Sequence, residues 1–297
     1  MPEMTNGPFF SVILTTYNRA TVLVQAIESV LNQTFLDFEL LIVDDGSPDN
    51  TRQQVEKYAD KRLSYFYQVN KGAGAARNAG ISNARGRYIC FLDDDDAYLP
   101  NHLAALNAAI IAKKEPVAMF RTFAEVHTKD RATEKQAVVL RNNQHALEYI
   151  FKNVMYLPNV CVHNSVFQKQ VFNETLPLNI DYDMWIRILL EYPLYEVEEI
   201  TTIINFHGGD SISAGSERAH EQYIIIWKKI FDSTEVRKHL PLNYRKKTLF
   251  NRYYWLALEQ SQNKKSWKAF VSCLHAAQHD PSFLISKNMI SVLRRSF

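Results

Sequence analysis

Cysteine is scarce. The 297 residues hold three, Cys90, Cys161 and Cys273, far apart and with no C-x-x-C pair. That excludes a disulfide framework and suits a reducing compartment, and Cys90, inside an apolar run, reads as a small packed hydrophobe. No window supplies the roughly 18 consecutive apolar residues a membrane span needs. The first residues carry Glu3 and no basic-then-apolar pattern, so the expected location is the cytoplasm. Both phosphate-binding fingerprints are missing: GAGAARNAG gives G-x-G-x-x-R rather than G-x-G-x-x-G, and no Gly-Lys-Ser/Thr follows. Glycine is absent after Gly215, and only Pro241 and Pro281 interrupt the remainder, so Glu217 to Phe297 reads as several helices. There is no internal repeat and no low-complexity tract.

What is present is a chain able to build a large core, with 46% hydrophobic and 12% aromatic residues. Its net charge of +2 is unevenly spread. Residues 217–297 hold 15 Lys and Arg against 6 Asp and Glu, whereas the first 216 hold 19 against 26. A basic C-terminal segment on a mildly acidic body predicts an anionic partner surface, a membrane or a polyanion.

Short apolar runs alternate with helical patterns. FFSVILTTY, FELLIVDDG, LSYFYQV, RYICFLDDD, VAMFRTFAEVH and VEEITTIINF read as strands. Between them lie helical segments, the first with Thr21 as its N-cap ahead of Val22, Ala26, Ile27, Val30 and Leu31, then GAGAARNAGISNAR and NHLAALNAAIIAKK. Residues 129–143 read as a polar loop or hairpin. IDYDMWIRILLEY places Met184, Trp185, Ile188 and Leu189 on one helical stripe. The pattern predicts βαβ units and a mostly parallel sheet covered on both faces. DDGSPD (Asp44 to Asp49) and DDDD (Asp93 to Asp96) then fall at strand C-terminal ends, the edge where open α/β sheets bind ligands.

Four successive carboxylates repel one another, so Asp93 to Asp96 either face water as a helix-capping turn or await a cation. Hard divalent cations such as Mg²⁺ and Mn²⁺ are held by one or two carboxylates plus substrate phosphates. In an extended run Asp93 and Asp95 would share one face, Asp94 and Asp96 the other. DDGSPD is also a turn for purely local reasons. Gly72 and Gly74 would let the backbone approach a nucleotide, with Arg77 pairing to phosphate or base edge.

Taken in order, SVILTTYNR, VDDGSPD, GAGAARNAG, FLDDDDAYLP, IDYDMWIR and NFHGGDSIS resemble the bacterial family 2 glycosyltransferases over about the first 215 residues. The resemblance implies a GT-A fold, Rossmann-like, as a nucleotide-sugar-binding and catalytic domain over 1–216, followed by a basic helical region over 217–297. It implies a nucleotide-sugar donor, most plausibly a UDP-sugar, a Mn²⁺ or Mg²⁺ ion bound through a D-x-D element, and inversion at the anomeric carbon. Carried over residue by residue, Thr15 and Tyr17 would contact the nucleobase, Asp45 the base or ribose, and Arg77 the nucleotide. Asp93 and Asp94 would meet sugar or ribose hydroxyls, Asp95 the metal, and His207 the diphosphate and metal. Asp96 becomes a helix-capping or structural member. The base falls on Asp181, with Asp183 a weaker candidate, because Ile180 stands where relatives carry a first acid.

The acceptor would be a hydroxyl of a glycan or lipid-linked glycan in surface polysaccharide assembly, and no nucleic-acid partner is expected. PSFLISKNMISVLRRSF places Ile285, Met289, Val292 and Leu293 on one stripe beside Lys287, Arg294 and Arg295, which suits peripheral contact with the inner face of the cell membrane. The alternative is a helix packed on its own domain or in a homodimer interface. Two other functions stay open: a nucleotide-sugar-binding module that has lost activity, and a sugar-phosphate nucleotidyltransferase, against which the glycine-free TTYNRAT after the first strand speaks.

Overall fold

Strand β1 (Phe10–Thr16) shows why the sheet forms where it does: Phe10, Val12, Ile13 and Leu14 are at most 1% exposed, as a strand covered on both faces requires. The computed structural model describes residues 7–128, 131–136, 146–152, 154–206, 216–240 and 242–296. The chain divides into two compact units, Met1–Leu176 with Ile180–His207, and Pro177–Asn179 with Gly208–Phe297.

In the first unit β1 is followed by α1 (Leu23–Leu31), β2 (Phe38–Asp44), α2 (Thr51–Val55), β3 (Leu63–Tyr67), α3 (Ala73–Asn83), β4 (Tyr88–Asp93), β5 (Ala97–Tyr98) and α4 (His102–Ala112). Then come β6 (Met119–Thr128), β7 (Arg131–Gln136), α5 (Ala146–Lys152), β8 (Val160–His163), α6 (Ile180–Glu191) and β9 (Leu194–Phe206). The strands form one sheet in the order β3-β2-β1-β4-β8-β6-β9-β5, with β7 paired to β6. β3, β2, β1 and β4 run parallel, as do β6 and β9. β8 is antiparallel to both its neighbours and β5 is antiparallel to β9. This is the mostly parallel α/β sheet that the alternating pattern predicts.

Register sets the functional edge. Thr15 pairs with both Val43 and Asp93, and Thr16 with Asp44, so β2, β1 and β4 end level with one another. Helix α1 covers the sheet with Leu23, Ala26, Ile27 and Val30, all fully buried at helical spacing. Thr21 does not cap it. The helix starts at Leu23 after an uncapped Val22, and the turn before it is held from the DDGSPD loop, where Asp49 Oδ2 accepts from the Ala20 amide at 3.0 Å.

Helix α3 lies close on β1 because Gly80 has no side chain: a Cβ there would stand 2.4 Å from Ile13 Cγ2. Helix α6 buries Met184, Trp185, Ile188 and Leu189, the expected stripe. The Trp185 ring sits 6.1 Å from those of Phe91 and Phe172, which fixes the first turn of α6 beside the end of β4.

The second unit is helical: α7 (Glu217–Asp232), α8 (Thr234–His239), α9 (Leu242–Gln262), α10 (Ser266–His279) and α11 (Lys287–Ser296). Its core gathers Ile224, Tyr253, Leu256, Ala257, Cys273 and Phe283, with Val292 fully buried and Met289 packed against it. Of the two placements left open for this stripe, two of its residues take the one on their own domain. Met289 and Val292 turn inward, where burial against α9 and α10 is available, while Ile285 remains 88% exposed; the Leu293 side chain lies outside the described residues. Among the described residues no helix is long and apolar enough to cross a membrane.

Candidate active site

The acid run does not alternate between faces as an extended chain would. Strand β4 ends at Asp93, and the Asp96 amide donates to the Asp93 carbonyl at 3.2 Å, closing a turn that brings Asp94 and Asp95 to the same partner. That partner is Arg19. Its Nη1 donates to Asp94 Oδ1 at 3.1 Å and to Asp95 Oδ2 at 2.6 Å. The Thr16 hydroxyl donates to Asp94 Oδ2 at 2.7 Å. Asp96 does not cap a helix. It is buried and accepts the Asn205 amide at 2.8 Å, tying the turn to β9, while Asn205 Nδ2 donates to the Asp95 carbonyl at 2.7 Å.

Burial, and behind it the crowding of like charge, is visible in the acid–base properties. Burial pushes the Asp94 carboxyl up to about 6, against the pull of Thr16 and Arg19 and with the push of Asp95 and Asp93. Asp96 stands well above the usual carboxylate range, again through burial, then through Asp93.

Arg77, on α3, joins the acid run to α6. Its Nη2 donates to Asp93 Oδ1 at 2.9 Å and its Nη1 to Asp181 Oδ1 at 2.6 Å, with the arginine side chain only 7% exposed. Asp181 lies one helical turn before Trp185, on the face that Trp185 anchors. Burial raises its carboxyl above the ordinary value, Arg77 opposes the shift and Asp93 adds to it. Asp183 points elsewhere: it is bound by Arg187 at 2.9 Å, within its own helix.

On the other side of the edge, Thr15 is half-buried and Tyr17 is 47% exposed. Asp45 is 4% exposed and accepts from Gln68 Nε2, the Lys71 amide and the Gly72 amide at 2.7, 2.9 and 2.7 Å. A carboxylate offers about four acceptor positions, so one remains on Oδ2. Gly46, at φ 85°, lets the DDGSPD turn press on the next loop, since a Cβ would lie 2.7 Å from the Asn70 amide nitrogen. The structure thus brings Thr15, Arg77, Asp93, Asp94, Asp95 and Asp181 to one edge around β1 and β4. Tyr17 and Asp45 stand on its β2 side, and His207 lies outside the described residues. Sequence reasoning missed Arg19 and Thr16, although both sit in the same TTYNR stretch as Thr15 and Tyr17.

A level strand edge bearing a carboxylate cluster, with a further half-buried carboxylate delivered by a helix, can bind a charged ligand and take up a proton beside it. The sequence profile of Glycosyl transferase family 2 matches residues 11–176, more than half of the chain. The chain belongs to this family.

Two family relatives cover most of it. The chain is 27% identical over 283 residues to a protein named as a colanic acid biosynthesis glycosyl transferase, WcaA of Escherichia coli (strain K12), covering 91% of this chain and 95% of that one. It is 28% identical over 285 residues to the GalNAc(5)-diNAcBac-PP-undecaprenol beta-1,3-glucosyltransferase of Campylobacter jejuni, covering 90% and 87%. Among solved structures, S. aureus TarS 1–349 in complex with UDP-GlcNAc superposes with a TM-score of 0.70 at 20% identity, over 97% of this chain and 88% of that one. A mannosyltransferase from Pyrobaculum calidifontis, in complex with GDP-Man and Mn²⁺, gives 0.55 at 15% identity, over 98% and 85%. At those identities the likeness shows the fold, which is GT-A-like with C-terminal helices.

For a divalent cation the donor set is chemically apt. Asp94 and Asp95 offer hard oxygen ligands where burial, with a smaller push from neighbouring carboxylates, already raises Asp94 and where the only partly buried Arg19 supplies the positive partner. Among the described residues no group of three or more His, Cys, Asp and Glu side chains could enclose a metal alone. One or two carboxylates completed by substrate phosphates is the arrangement that fits.

Proposed function

We propose that this family 2 glycosyltransferase moves a sugar, with inversion, from a UDP-sugar to a hydroxyl of a glycan or lipid-linked glycan acceptor in surface polysaccharide assembly. The observation that carries the reading is the Asp93–Arg77–Asp181 bridge, made by a buried arginine, which sets a helix-borne carboxylate beside the acid run. The donor class and glycan setting draw support from the UDP-GlcNAc bound by TarS and from the names of the two relatives.

In this reading Thr15, Tyr17 and the remaining acceptor position of Asp45 meet the nucleoside. Asp93 and Asp94 meet sugar or ribose hydroxyls. Asp181, whose raised carboxyl is the better proton acceptor for its burial, removes the acceptor hydroxyl's proton as that oxygen attacks the face opposite the departing diphosphate. Asp95, with His207 as the other expected ligand, would hold a Mn²⁺ or Mg²⁺ ion, which would supply charge neutralisation for the nucleoside diphosphate that leaves. Peripheral contact with an anionic membrane would use Lys287 and Arg294 with the exposed Ile285 and Ile290, because Met289 and Val292 face the helical core.

The test compares transfer by the wild type and by Asp181→Asn. The variant is expected to lose roughly 10²–10⁴-fold in kcat, the usual worth of a general base, while still binding UDP. Equal, measurable rates would remove Asp181 from the mechanism, whereas no transfer by either protein would favour the reading in which the chain only binds nucleotide-sugar, motivated by Ile180.

A further inference from the structure

The family resemblance gives Arg77 to the nucleotide, but the structure spends its guanidinium on two carboxylates. Nη1 and Nη2, the two prongs of one planar fork, reach Asp181 Oδ1 at 2.6 Å and Asp93 Oδ1 at 2.9 Å. Both distances are those of charge-assisted hydrogen bonds. The side chain is 7% exposed, and its carbon Cζ stands 5.5 Å from the centroid of the Phe172 ring, which is itself packed on Phe91 and Trp185. Two of its five N–H donors are spent on these carboxylates and Nε is buried without a partner, so it is burial that leaves an incoming nucleotide little access to the fork.

The same contacts explain what the fork accomplishes. Asp93 and Asp181 carry like charge and belong to different elements, β4 and α6. Without a cation between them they would turn apart, and Asp181, 29% exposed, has water to turn towards. Backbone placement of Asp181 comes from Trp185, wedged beside Phe91 and Phe172 one turn later, whereas carboxylate placement comes from Arg77. Arg77 is in turn placed by the close approach of α3 to β1 at Gly80. A planar fork can hold two carboxylates at fixed angles. A lysine ammonium, a point charge on a flexible stem, cannot.

We propose that Arg77 is the positioning residue of this site: it locks Asp181 against the Asp93 end of the acid run, and its task is orientation of the base rather than capture of the nucleotide. This rests on the reading of Asp181 as the base.

The experiment uses the full-length protein and three measurements: kcat and KM for UDP-sugar turnover, and the Kd of UDP with Mn²⁺ by calorimetry, for wild type, Arg77→Lys and Asp181→Asn. For Arg77→Lys the expected result is a kcat lower by on the order of tenfold or more, with KM and the UDP Kd within about twofold of wild type. A UDP Kd weakened on the order of tenfold with kcat retained would overturn the proposal in favour of nucleotide binding. Wild-type turnover by Asp181→Asn would instead defeat the base reading, whatever Arg77→Lys does. A normal Arg77→Lys beside a crippled Asp181→Asn would defeat the Arg77 proposal alone. Should Arg77→Lys fail to fold by circular dichroism, a crystal structure of the wild type with UDP decides. Arg77 is expected still bridging Asp93 and Asp181 and clear of the nucleotide, and its fork on the diphosphate or uracil would contradict the proposal.

Discussion

Arg19 and Arg77 each bridge two carboxylates, but only Arg77 is buried; the Arg19 side chain is 35% exposed and faces the carboxylates best suited to a cation. In the proposed function Arg19 Nη1 and a metal ion would therefore compete for Asp95 Oδ2. Partly exposed ion pairs contribute about 0.2–1 kcal/mol, so Arg19→Gln is expected to tighten Mn²⁺ binding by about 1.4- to fivefold. Electron paramagnetic resonance of free Mn²⁺ during titration reads this directly. Unchanged or weaker affinity would show that Arg19 and the ion do not share Asp95. At this scale much was legible: the residue types and their strand-end positions follow from motif and pattern. Which acid meets which arginine did not follow. That depends on where β4 stops, and a strand ending at Asp93 replaces the alternation of four extended aspartates by a turn.

Two helices of the first unit can be probed, α3, which carries Arg77, and α4. Gly80→Ala puts a methyl group 2.4 Å from Ile13 Cγ2, so α3 must shift from β1 and take Arg77 with it. Overpacking of this kind costs about 1–3 kcal/mol. Denaturant unfolding is expected to show that loss together with a fall in kcat, and an unchanged midpoint would mean that α3 has room. At the start of α4, His102 is fully buried, stacked on Tyr98 at 3.9 Å and bonded through Nδ1 to the Thr201 hydroxyl at 2.8 Å. Burial lowers its pKa from 6.5 to about 3. The unfolded chain then binds a proton that the folded chain refuses between those values. Stability contributed by the neutral ring is complete above pH 6.5 and falls by up to about 1.4 kcal/mol per pH unit towards pH 3. His102→Gln should flatten that part of the pH–stability curve, and an equal slope in both proteins would contradict the assignment. The long, strongly patterned elements were readable in advance. β5 and β8, two and four residues long, were not, because such short segments are specified by the strands they pair with.

For the whole molecule, the sequence's division into an alternating α/β part and a basic helical part follows from the switch in periodicity and the loss of glycine. The orientation of α11 does not, because an amphipathic helix presents the same stripe to a protein core and to a lipid surface. Val292 and Met289 chose the core. The central claim, that the level ends of β2, β1 and β4 form a cation-assisted nucleotide-sugar site, has one direct test: thermal unfolding of the full chain with a panel of nucleoside diphosphates, each with and without Mn²⁺. A ligand that binds only the folded state at a hundred times its Kd adds about 2.7 kcal/mol of apparent stability. UDP with Mn²⁺ is expected to raise the midpoint, and UDP without metal to raise it much less. No rise with any nucleoside diphosphate in the presence of Mn²⁺ would contradict the account.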